Sequence, residues 1–135
     1  MGQGGRVGRA GLAAVVLTHL ALSIVHGAAH SGAQVALDAA GTLFVYIVIL
    51  IGPLAGLAVS RWQPQLGAWI VALAMSGSLI FGLINHFIIQ GADHVAHVAP
   101  AWRALFASTA ALLALVEAAG VGIGVSCAVR LRRAS

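Results

Sequence analysis

The sequence predicts an all-α integral membrane protein, a bundle of four transmembrane helices with both termini on the cytoplasmic side. Three observations carry that expectation: the composition, four apolar runs of spanning length, and a one-sided distribution of arginine. Of the 135 residues, 61% are hydrophobic and 7% are charged, whereas soluble domains carry about 25% charged residues. A soluble domain of this size needs polar cover over a large surface, and so few charges cannot supply it. A soluble enzyme, a nucleic-acid module and a disordered tail are excluded on that ground. The net charge of +4 comes from arginines alone among the basic residues. Their positions report orientation in a membrane rather than affinity for nucleic acid. The single Cys127 allows neither an intrachain disulfide nor a Cys-based zinc site.

Each run reaches the ~20 residues that cross a bilayer. The first, 10–29, follows Arg6 and Arg9 and ends in the small polar segment Ser31-Gly32-Ala33-Gln34. It exceeds the ~7–15-residue apolar core of a cleaved leader and carries His19 near its middle. It is therefore read as a retained helix, with cleavage near Ala28, Ala29 or Ala33 as the rival. The second run, 39–59, contains Pro53, which should kink it. The third, 66–89, follows the short connection Ser60-Arg61-Trp62-Gln63-Pro64-Gln65. The fourth, 104–129, follows a loop holding Gly91, Asp93 and Pro100, with Trp102 as an interfacial anchor. The whole chain, 1–135, reads as one transmembrane domain.

With four spans, Arg6, Arg9, Arg61, Arg130, Arg132 and Arg133 share one side, and Arg103 alone falls on the other. That bias places both termini inside, and the setting expected is a bacterial inner membrane. The Arg130–Arg133 tail suits anionic headgroups. The expected partners are the lipid bilayer and either a second copy or a larger membrane complex. Gly52-xxx-Gly56 and Gly120-xxx-Gly124 have the spacing of close helix contact. Gly27-Ala28-Ala29-His30 and Gly91-Ala92-Asp93-His94 look alike at matching ends of two hairpins, a likeness that chance explains in so Ala/Gly-rich a chain.

Five of the six histidines collect at the outward end, with Asp38 and Asp93 in the same connections. At about 100° per residue, His19, His26 and His30 fall on one face of the first helix. His86, Asp93 and His97 repeat that spacing on the third, provided its helix continues past Gly91. Imidazoles with carboxylates suit borderline divalent metals such as zinc, nickel, copper or iron. The candidate ligands are His26, His30, His86, Asp93, His94 and His97. No nucleophile or acid–base pair is evident, so the role expected is binding or passing a transition metal rather than catalysis. Thr42 and Tyr46 are candidates to orient the ligands. One alternative is an electron-transfer protein with non-covalent haem b held by His26 and His86, since no CxxCH motif is present. Another is an accessory subunit that binds nothing. Deeper in the bundle, His19 and Glu117 fall at similar depth, where an ionisable side chain is costly unless paired or neutral. They are read as a structural hydrogen-bonded pair, with a proton relay as the functional alternative.

Overall fold

The computed structural model describes residues 3–133, with side chains from residue 8 onward. The Arg6 side chain lies outside the described residues. Among these residues there are helices and turns and no strand. Helix α1 is Gln3–Gly32. The second run is composite: α2 (Ala39–Phe44), a π-helical segment Val45–Ile51, and α3 (Gly52–Val59). Helix α4 (Pro64–Leu83) continues as a π turn, Ile84–Ile88, and α5 is Pro100–Arg133. Four helical stretches are long and apolar enough to cross a membrane.

The helix boundaries follow local chemistry. Asp38 caps α2, its Oδ1 accepting from Gly41 N at 2.7 Å, which satisfies one of the free donors of a first turn. Pro64 and Pro100 open α4 and α5, where the missing N–H costs nothing. The helix around Pro53 is not regular. Pro53 is the second residue of α3, and the π segment Val45–Ile51 ends two residues before it. A proline ring clashes with the carbonyl four residues back, and the wider turn relieves that clash. In the π turn after α4, Asn85 Nδ2 donates to Phe81 O, one turn back, at 2.9 Å.

Helices α4 and α5 pack most extensively, α5 also covers α1, and α3 leans on α4. Small residues set the closeness. A Cβ on Gly124 would come 2.9 Å from Ala68 O, and one on Gly120 would come 2.9 Å from Met75 Cγ. On the other side of α4, a Cβ on Gly52 would meet Ala74 Cβ at 2.8 Å. Both small-residue spacings are therefore consumed by contacts within the chain. Leu12, Val15, Val16, Val71 and Met75 form the core near the termini. At the far end, Ala29, Val98 and Phe106 form a second, smaller core. The outer faces carry large apolar side chains: Leu73 and Leu115 are each 68% exposed.

Candidate metal centre

The site grows from the antiparallel pairing of α1 with α5. His19 Nε2 lies 3.1 Å from Glu117 Oε1, and both residues are buried. Two turns further along α1, His26 Nδ1 lies 2.8 Å from Thr109 Oγ1, two turns back along α5. One helical register thus aligns both contacts. His30 follows on the same face, one turn nearer the far end. His86 arrives from the π turn, and candidate donor atoms of His26, His30 and His86 all lie within 4.8 Å of one another. The fully buried Phe106 packs against all three rings, with centroids 4.7–5.2 Å away.

Hydrogen-bond partners determine which nitrogens are bare. The Thr109 hydroxyl has one proton and donates it to Leu105 O at 2.7 Å. Donating there, it accepts from His26, and this assignment puts the proton on His26 Nδ1. His86 Nδ1 faces the Asp93 carbonyl at 3.1 Å, which also only accepts. His30 Nδ1 faces the Val35 carbonyl at a long 3.5 Å. With Nδ1 protonated in each neutral ring, Nε2 is a free lone pair. His26 Nε2 and His86 Nε2 point at each other across 3.2 Å. Two bare lone pairs at that distance repel, and a cation between them satisfies both. Nitrogens bound at 2.0–2.1 Å to one tetrahedral ion lie about 3.3 Å apart, close to the spacing found.

Asp93 supplies the negative charge. Its Oδ1 is 3.3 Å from His30 Nε2 and 3.2 Å from His86 Nδ1. Neither contact has hydrogen-bond alignment, and both carboxylate oxygens are buried without a hydrogen-bond partner. A buried carboxylate in that condition is costly, and a positive charge beside it, on a bound cation or a protonated imidazole, offsets the cost. The three imidazoles could hold a metal ion, with a carboxylate beside them and acceptors behind the rings.

The route by which Asp93 arrives differs from the helical-face expectation. The helix does not continue past Gly91: Ile89 turns extended at ψ 124°. The loop then folds back, with Val95 N donating to His86 O at 3.0 Å. That return carries Asp93 to His86 and turns the other two loop histidines away. His94 is bonded to Gln90 Nε2 at 3.2 Å and accepts from Ala96 N at 3.1 Å. His97 is exposed and bonded to Gly91 O at 2.8 Å. Asp38 is occupied as a helix cap. The haem alternative meets a steric objection. Two axial nitrogens on one iron lie in line about 4 Å apart with the porphyrin plane between them. Here they are 3.2 Å apart, with the His30 and Phe106 rings each 4.8 Å from that of His26. A porphyrin has no room there.

Thr109, Phe106 and the Val35 carbonyl belong to the site without having been legible in the sequence. Nothing local separates Thr109 from its exposed neighbour Ser108. No protein-family model matches the chain, and neither does any curated protein or solved structure. The fold alone names no function.

Proposed function

We propose that the protein is a membrane protein that binds one divalent transition-metal ion through His26, His30 and His86, with Asp93 as a fourth ligand or as the charge partner. The observation that carries this reading is the pair of Nε2 atoms facing each other at 3.2 Å beside a buried carboxylate with no hydrogen-bond partner. The donor set suits zinc, nickel, copper or ferrous iron, and does not suit magnesium or calcium, which take oxygen ligands. The role is metal handling. With insertion as the arginine distribution favours, both termini lie inside and the centre lies near the outer surface of a bacterial inner membrane. The exposed apolar faces of all four spans support contact with lipid.

Titration of detergent-purified, chelator-stripped protein with Co²⁺ tests the reading, followed by competition with Zn²⁺. One equivalent should bind with the visible absorption of a tetrahedral cobalt site. His26→Ala and His86→Ala should each remove it, while His97→Ala leaves it intact. Binding should weaken on acidification, because protons compete for the ligand nitrogens. A parent protein that takes up no metal, or a His97→Ala variant as impaired as His86→Ala, would overturn the assignment.

A further inference from the structure

A cavity of about 370 Å³ begins at the His26–His86 cluster and reaches Glu117. Its size falls within the range of small-molecule sites, ~300–1,000 Å³. The ends are about two helical turns apart, roughly 10 Å along α1. Most of the wall between them is apolar, with Leu50, Phe81 and Leu113 among the side chains that form it. Such a wall disfavours a bare ion in transit and suits an apolar body.

Two buried hydroxyls in this wall differ from those of Ser76 and Thr109. Ser76 and Thr109 donate to the carbonyl four residues back, at 2.8 and 2.7 Å, the usual fate of a helical hydroxyl. Ser23 Oγ and Ser78 Oγ also line the cavity, yet both are buried without a partner, and Ser78 is 0% exposed. A buried hydroxyl left unpaired costs free energy, and a polar atom in the cavity removes that cost. The cavity is also open to the side. Ile24 on α1 and Tyr46 on the π segment both line it, and they are 64% and 58% exposed. The first span and the outer half of the second barely touch, so the mouth lies where lipid would stand.

We infer that this cavity binds a small amphiphile drawn from the bilayer, an apolar molecule of roughly eight carbons bearing a hydroxyl or similar polar group that pairs with Ser78 or Ser23. This goes beyond metal binding and does not depend on it, although an occupant's polar end could also reach the histidine end.

Photolabelling tests it with two probes, a diazirine-bearing octanol and the matching diazirine-bearing octane, each applied to the protein in lipid nanodiscs, with labelled residues mapped by mass spectrometry. The octanol should label Tyr46 and Glu117 in preference to the lipid-facing Leu73 and Leu115, and the octane should show no such preference. Gly27→Leu fills the cavity from α1, where an added Cβ meets nothing within 4 Å. Gly82→Leu fills it from α4, where the nearest atom to an added Cβ is His86 Cδ2 at 3.8 Å. Each should cut the cavity labelling roughly tenfold, because displacing two buried methylenes already costs that factor. Circular dichroism reports whether each variant is folded. Equal cavity labelling by octanol and octane would mean a crevice for lipid tails and overturn the inference. Labelling spread evenly over the lipid-facing residues would mean a cavity that holds only water, and would also overturn it. Both outcomes are read on the parent protein, so they stand even if a filled variant misfolds. They are independent of cobalt uptake, so the metal reading and the cavity reading fail separately.

Discussion

At the scale of single residues, Thr109 is the side chain whose contribution most exceeds its appearance. Its hydroxyl donates to Leu105 O and, in that arrangement, accepts from His26 Nδ1, the tautomer with His26 Nε2 bare. Thr109→Val keeps the shape and removes the acceptor. It should lower metal affinity by about 10–100-fold, while Thr109→Ser restores most of it, both read by competition titration. Glu117 tests a different contact. Its 3.1 Å bond to His19 lies in the bundle interior between α1 and α5, with Glu117 4% and His19 1% exposed. Glu117→Gln keeps a partner for the imidazole and should stay within about 1 kcal/mol of the parent. Glu117→Ala leaves a buried imidazole unpaired and should lose roughly 1–3 kcal/mol. Unfolding of the detergent-solubilised variants by added SDS measures both. Equal losses for Gln and Ala would mean that the charge itself, and not the hydrogen bond, holds α1 to α5.

At the scale of elements, the approach of α4 to α5 is set by glycine. Gly124 has no room for a side chain, since a Cβ would lie 2.9 Å from Ala68 O and 2.9 Å from Ala72 Cβ. Gly122, two residues away, faces open space, with nothing within 4 Å of an added Cβ. Gly124→Leu should therefore force the helices apart and cost about 1–3 kcal/mol or more. Gly122→Ala should be neutral or stabilise by up to about 1 kcal/mol through helix propensity. The same SDS unfolding separates them, and similar behaviour of the two would contradict close α4–α5 packing. The two π elements belong to this scale as well. A π turn shifts the phase of everything that follows it, and the one at Ile84–Ile88 contains His86. Its orientation toward α1 depends on that turn.

At the scale of the whole molecule, the proposed orientation puts the α1–α2 connection outside the cell. Cys127 is the one thiol, partly exposed on α5 with Sγ 3.6 Å from Gly8 O near the termini. A Cys127→Ser, Ser31→Cys variant moves the thiol to the opposite end. A membrane-impermeant thiol reagent should label it in intact cells, and labelling only after lysis would reverse the orientation. The parent thiol should show the opposite pattern.

What the sequence determined by itself was local in origin. Hydropathy marked four helices, because a run of apolar residues needs no partner to declare itself. The 3.6-residue period put His19, His26 and His30 on one face, because that face is a property of one helix. The approach of His19 to Glu117 was suggested by depth alone, which two straight helices largely share. The third helix defeated the same reasoning. Its regular period fails at the π turn and stops at Ile89, so extending the face to Asp93 and His97 assumed a helix that is not there. Only the tertiary structure decided that the loop folds back through the Val95–His86 bond, bringing Asp93 in and leaving His94 and His97 out. Only the register of α1 against α5 chose Thr109 over Ser108 and set Phe106 beneath the rings. Register and loop closure are non-local: they depend on which small residues let two helices meet and at what height, and no window along a single strand of sequence contains both sides of that contact.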